Sequence, residues 1–305
     1  MIVNVYPNKD PDKNSKRIKR ALSRLANTHD GHGILQIHGY IRVAEPIVNE
    51  AYGVTIAGAG YADIHRVGTS HTGWGLITKG PLRNLRFQSS AGDGIWQDHV
   101  RYTVGMHNVR TWGGNIGIKQ TRCWFCTLSN VIIASSKQIA YWGLQCNRSR
   151  LEQISINSGQ GIFRLENSGW TTIDGINMEG VAPENRACIE IRNSLSTRIL
   201  TPAFEGCVHN NYPLFELFAA NSAYSKIMQI QNLSMSAQSR PSCAVLAHDH
   251  SQLVIDSPNT GYFDQDNQYF VILDGGQHVE PVLTNLRLKG CPPERHVVVS
   301  GAQII

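Results

Sequence analysis

No stretch of the sequence approaches the roughly 18 consecutive apolar residues of a membrane-crossing helix. The opening MIVNVYPNKDPDK has neither the basic segment nor the apolar core of a secretory signal. Both absences lead to the expectation of a soluble chain that does not leave the cell by that route and has no membrane partner. Charge is sparse too: 17% of residues are charged and the net charge is +5. Much of the positive charge is gathered in Lys13, Lys16, Arg17, Lys19, Arg20 and Arg24, so the rest is near neutral and gives no ground for a nucleic-acid partner. Seven cysteines, an odd number at irregular spacings, argue against a disulfide framework and for free thiols. The 28 glycines and 12 prolines leave little room for long helices, and the modest charge argues against disorder.

One helix is nevertheless expected. Ile18, Ala21, Leu22, Leu25 and Ala26 make a single apolar stripe over residues 13–26, with Asp12 or Ser15 placed to cap its start. After it the period changes to short β-rich runs such as GILQIHGYIRVAEPI and GVTIAGAG. A four-residue motif then recurs: Asn84-Leu85-Arg86-Phe87, Asn108-Val109-Arg110-Thr111, Asn130-Val131-Ile132-Ile133, Gln153-Ile154-Ser155-Ile156 and Gly175-Ile176-Asn177-Met178. It returns at Asn232-Leu233-Ser234-Met235 and Asn285-Leu286-Arg287-Leu288. From Leu85 to Val109, Val131, Ile154 and Ile176 the steps are 24, 22, 23 and 22 residues. A second run follows each motif closely: GDGIWQ, GNIGIK, AYWGLQ, GIFRLE, CIEIRN, PLFELF, CAVLAH, YFVILD and HVVVSG.

A lone strand of this kind cannot bury its apolar side, whereas equivalent strands stacked about 4.8 Å apart make a parallel sheet around an apolar interior. The expected fold is therefore all-β: a right-handed parallel β-helix of three-strand coils, running from about residue 33 to 305 as one domain, with a short N-terminal capping α-helix. Leu85/Phe87, Val109/Thr111, Val131/Ile133, Ile154/Ile156 and Ile176/Met178 are its predicted inward ladder, and the Asn before each pair suits a turn that needs unusual φ/ψ. The Leu-x-x-Leu-x-Leu spacing of leucine-rich repeats is absent, and no helices alternate with the strands as a doubly wound sheet requires.

The stretches Ile18…Ala21-Leu22…Ala26, Gly33-Ile34-Leu35-Gln36-Ile37-His38-Gly39-Tyr40 and Val54-Thr55-Ile56-Ala57-Gly58-Ala59-Gly60 resemble the pectate-lyase-like β-helix superfamily, in particular phage tailspikes and polysaccharide depolymerases. So do Gly92-Asp93-Gly94-Ile95, Met178-Glu179-Gly180 and Phe204-Glu205-Gly206. The resemblance implies a virion protein, synthesised in the host cytoplasm and acting outside it on a host surface polysaccharide, as a homotrimer in contact with other virion proteins. A complete calcium-and-arginine lyase constellation is not found, so lyase chemistry is not carried over, and no metal or cofactor is expected.

Aligned coils put Glu179 and Glu205 at the same strand position, each before a Gly, on one outward face about 5 Å apart. Repulsion between such carboxylates can separate an acid from a base, and the spacing suits retaining glycoside hydrolysis. Asn157 and Asn177 fall on that face as candidate sugar ligands. Trp112, in the same column, and Trp170, near a turn, offer rings for sugars. The competing reading makes the two Glu residues turn-closing and the two Trp residues turn covers or subunit contacts. Outward Ile132 and Ala134 point to such a contact. Arg164, Glu190 and Glu216 read as a solvated ion-pair ladder, Asp98 as a residue of the second run, and His248-Asp249-His250 as a polar turn rather than a metal site. Cys123-Trp124-Phe125-Cys126 lacks a second Cys pair, and Gly58-Ala59-Gly60 lacks the third Gly and helix of a dinucleotide site. The expectation is a tailspike-like protein that binds and hydrolyses a polysaccharide. A non-enzymatic virion component and a polysaccharide lyase are the alternatives.

Overall fold

The computed structural model describes residues 1–28, 31–68, 73–90, 92–207, 212–219, 228–236, 239, 241–248, 252–260, 268–288 and 291–304. The chain is a right-handed parallel β-helix, and every strand pairing among the described residues is parallel, between one coil and the next. One sheet has 16 strands and a second has 11, with a further pair, Gln277–His278 and Gln303–Ile304, near the C-terminal end.

The recurring Asn sits inside the strands of the larger sheet rather than at their entrance. Asn84, Asn108, Asn130 and Gln153 have φ of 52°, 53°, 51° and 53°, in the left-handed region, within strands such as Val104–Trp112, Thr127–Ser136 and Arg150–Gly159. A left-handed residue bends the strand while the hydrogen-bond ladder continues on both sides, so one long strand supplies two of the three strands of a coil. Asn and Gly tolerate this region best, which is why the motif begins with them. Thr201 and Ser257 occupy the same column, at φ 49° and 52°. They escape the sequence motif because Pro202 and Pro258 stand where the aliphatic residue would be. At both points the strand divides, into Thr197–Leu200 with Ala203–Glu205 and Leu253–Asp256 with Asn259–Thr260.

All ten predicted ladder residues are buried, and their register is direct: Leu85, Val109, Val131, Ile154 and Ile176 pair in sequence. The interior also holds a polar spine. Asn49 donates to Thr78 Oγ1 at 3.1 Å, Gln120 Nε2 donates to Gln97 Oε1 at 2.6 Å, and the Tyr141 hydroxyl donates to Gln120 Oε1 at 2.7 Å. Gln97 in turn donates to the Gly80 and Gly105 carbonyls, so these buried amides are satisfied within the column.

The helix spans Pro11–Ala26 and is capped by Asp10, whose carboxylate accepts from the Asp12 and Lys13 amides, instead of by Asp12 or Ser15. Ile18, Ala21, Leu22 and Leu25 are buried, but Ala26 is exposed. Leu25 packs so closely on Gly33 that a β-carbon there would lie 2.5 Å from Leu25 Cδ2, so this seat needs glycine. Buried Asn14 donates to the Arg42 carbonyl, and Ser15 Oγ accepts from the Ala44 amide, tying the helix to the first coil. A strand that the sequence reading missed, Ile2–Val5, precedes the helix and pairs with His32–Val43.

The register yields a direct test. Ile156 is 1% exposed and points inward, whereas neighbouring Ser155 points out. Ile156→Asp should cost several kcal/mol by burying an unpaired carboxylate, and Ser155→Asp should cost less than about 1 kcal/mol. Urea unfolding of both variants decides, and equal losses would contradict the register.

Candidate functional site

On the outer surface of the bent sheet the register assembles one continuous column: Gln88, Trp112, Ala134, Asn157, Glu179 and Glu205. Glu179 and Glu205 are direct partners on adjacent strands, both exposed, and each stands immediately before a left-handed glycine, Gly180 at φ 59° and Gly206 at φ 60°. Asn157 pairs with Glu179, and its Oδ1 accepts from Ser155 Oγ at 2.6 Å. Asn177 lies in the neighbouring outward column between Ser155 and Ala203, with a buried Oδ1 that has no hydrogen-bond partner.

The two tryptophans do not join this group equally. Trp112, 53% exposed, shares the column but stands three coils from Glu179, roughly 14 Å at the usual strand spacing. Trp170 lies on a different corner, ahead of the strand Thr172–Val181. Ala134 points outward as expected but is only 6% exposed between its register partners Trp112 and Asn157, and Ile132 is half-buried. The outward apolar patch is therefore smaller than the sequence suggests.

A feature that the sequence reading missed runs beside this column. Near its N-terminal end, the bend residues Asn84 and Asn108 and the outward residues two positions later, Arg86 and Arg110, line a shallow polar groove. Asn108 donates to Asn84 Oδ1 at 3.1 Å, and Asn130 to Asn108 Oδ1 at 3.2 Å, forming an amide ladder. Farther along, Asn232, Ser234, Ser257, Asn259, Asn285 and Arg287 line a cavity of about 480 Å³. The signal was present in the recurring Asn, which sequence reasoning treated only as a turn former.

The second sheet carries Trp96, Lys119, Trp142, Arg164, Glu190 and Glu216 in register on its outer face. Lys119 Nζ lies 3.9 Å from the Trp142 ring centroid, and burial lowers its pKa. Arg164 Nη2 and Arg192 Nε reach the same Glu190 oxygen at 2.7 and 3.0 Å. Glu190 is 1% exposed, so this is a covered ion cluster and not the solvated ladder expected. Asp98 is engaged by His99 at 2.8 Å and Arg122 at 3.1 Å. His248 stacks on Phe218 and places Nε2 3.1 Å from Glu216 and Nδ1 3.3 Å from Asp274. Asp249 and His250 lie outside the described residues, among which no group of three metal-ligating side chains converges. None of the seven cysteines forms a disulfide and all are buried, and burial pushes the Cys126 thiol up to about 12, far from a reactive thiolate. Gly58-Ala59-Gly60 lies within the strand Gly53–Arg66 and opens no helix. No helix among the described residues is long and apolar enough to cross a membrane.

No protein-family model and no curated relative matches the chain by sequence. Its fold matches solved structures. The gp42 tailspike of Acinetobacter phage vb_AbaP_AS12 is 12% identical with a TM-score of 0.65, over 98% of this chain and 62% of that one. An endo-xylogalacturonan hydrolase from Aspergillus tubingensis is 9% identical with a TM-score of 0.64, over 98% and 95%. Tailspike protein 2 of the Escherichia coli O157:H7 bacteriophage CAB120 is 11% identical with a TM-score of 0.59, over 94% and 45%. The chain thus spans less than two thirds of either tailspike. These likenesses show the fold, a right-handed parallel β-helix.

The two carboxylates around His248 raise its pKa, the Glu216 hydrogen bond contributing most. A raised folded-state pKa gives stability that is complete below the unfolded value of about 6.5 and lost as pH rises through the folded value. His248→Gln should therefore lower the melting temperature more at pH 6 than at pH 9. An equal loss at both would show that packing on Phe218, and not charge, is the contribution.

Proposed function

Starting from a pectate-lyase-like β-helix, we propose that this chain is a virion-associated, tailspike-like protein that binds and hydrolyses a host surface polysaccharide. The observation that carries the reading is the direct register of Glu179 and Glu205 on adjacent strands of an open face. At that spacing one carboxyl group protonates the glycosidic oxygen while the other attacks the anomeric carbon, and the first then activates water to release the glycosyl-enzyme. Asn157 and Asn177 bind sugar hydroxyls beside the pair. Trp112 and Trp170 are proposed to hold more distant parts of a long glycan, since neither lies beside the carboxylates. The names of the structural neighbours, tailspikes and a polysaccharide hydrolase, support the substrate class.

A non-enzymatic reading, in which the chain only builds the particle or holds a receptor, draws on the solvent exposure of both carboxylates. Lyase chemistry stays the weaker alternative. Glu179→Gln and Glu205→Gln separate these readings: each should lower glycan cleavage at least 100-fold while glycan binding and melting temperature hold, because an amide neither donates the proton nor attacks. Reducing-end release without absorbance from an unsaturated sugar identifies hydrolysis, and unsaturated product identifies a lyase. Undiminished cleavage in both variants would remove the pair from the site.

The proposal includes a homotrimer, with further virion proteins docked on the assembly. Light scattering at micromolar concentration should give three times the chain mass. A monomer there would contradict it.

A further inference from the structure

After five successive second-sheet strands, from Asp93–Asp98 to Ile189–Arg192, the chain turns back through a one-residue strand flanked by two left-handed residues. The bridge residues Arg101, Trp124, Asn147, Gly169 and Leu195 pair from coil to coil. The left-handed residues that follow are Tyr102, Phe125, Arg148, Trp170 and Ser196, at φ 54°, 52°, 52°, 51° and 46°. The topology demands this conformation, and in the other such columns it is met without aromatic rings of this size: His99, Arg122, Gln145, Asn167 and Asn193 on the near side, of which His and Asn bear it most easily, and mainly Asn at the strand bends. Bulky side chains with positive φ are strained. Placing Tyr, Phe and Trp there is costly where Asn or Gly would serve the fold better.

Nor are these rings hidden. Tyr102 is 74% exposed and Trp170 54% exposed. They form a stack along the corner: Tyr102 on Phe125 with centroids 5.0 Å apart and 17° between planes, then the Arg148 guanidinium 5.2 Å from Phe125 and 5.7 Å from Trp170. Alongside, the Arg101 guanidinium lies 4.5 Å from the Trp124 ring. Since the stacked groups follow one another along the axis, Phe125 is covered by Tyr102 and Arg148, Tyr102 and Trp170 each have one face engaged, and the rims point outward. Rims of aromatic rings are electropositive, and the Tyr hydroxyl, indole N–H and guanidinium N–H groups add donors. Neither Arg101 nor Arg148 forms an ion pair with a described residue.

We propose that this corner is a binding ridge for an acidic glycan, one bearing carboxylates along its length. This deepens the polysaccharide reading above and rests on it, while placing a contact on a different face from Glu179 and Glu205. Charge decides the occupant. Two copies meeting ridge to ridge would oppose guanidinium groups, and nucleobases would find only the end faces of Tyr102 and Trp170, three coils or about 14 Å apart, with no run of open faces between. Carboxylates fit the outward donors, with guanidinium as the strongest partner.

The test uses affinity electrophoresis of the full chain through three uronate polymers, polygalacturonate, alginate and hyaluronan, their carboxyl-reduced forms, and single-stranded DNA. At least one uronate polymer should retard the protein, and carboxyl reduction or the Arg101→Gln/Arg148→Gln double variant should weaken retardation at least tenfold. Tyr102→Asn and Trp170→Asn should also weaken it while the melting temperature holds or rises, because Asn adopts the left-handed region more readily. Equal retardation by acidic and reduced polymers overturns the ridge but leaves the polysaccharide reading intact. No retardation by any polymer, with no cleavage by the native chain, removes both. Retention on DNA alone, or a fall in melting temperature without loss of binding in the Asn variants, overturns the ridge in favour of nucleic acid or a purely structural stack.

Discussion

Everything in this molecule depends on the residue-for-residue parallel hydrogen bonding that locks each coil onto the one before it. Because the ladder fixes register, a residue's place in its coil determines whether it faces the interior, the outer surface or a corner. Equivalent places line up as columns along the axis. The apolar interior, the amide spine, the carboxylate pair and the corner stack are all such columns. A single residue therefore acts with its neighbours a coil above and below, and chemistry in this fold is built from like residues at one position.

The same constraint explains which parts could be read from the sequence. The ladder from Leu85 to Ile176 was legible because an aliphatic pair behind an Asn recurs at nearly constant spacing, and the register of Glu179 with Glu205 followed from it. Coils through Thr201-Pro202 and Ser257-Pro258 were not, because proline replaces the aliphatic signal while the backbone still bends. Ile2–Val5 was missed because it is one strand with no motif, separated from its partner by a helix. Gln97 and Gln120 carry no sign of burial in the sequence, and only the stacking of coils reveals that they hydrogen-bond each other inside. The corner stack was invisible for another reason: its strand is one residue long and has no periodicity to detect.

Electrostatics divide the surface by face. The second sheet gathers its charges into covered clusters, where Glu190 is gripped by two arginines and His248 is set between two carboxylates. These groups satisfy one another and are poorly placed to meet a ligand. On the bent sheet, by contrast, the two carboxylates stand open to solvent. The face with fewer internal ion pairs is the one with donors and acceptors to spare for a partner.

The turns that follow Glu179 and Glu205 vary in a telling way. Between the bent sheet and the second sheet the chain needs only two residues from Ser136 to Ile139 and from Gly159 to Ile162, but seven from Val181 to Ile189 and nine from Glu205 to Phe215. The columns on either side keep their register through these changes. A lineage can thus lengthen or shorten that one edge without refolding the shaft, so a rigid scaffold carries an evolvable rim beside its carboxylates.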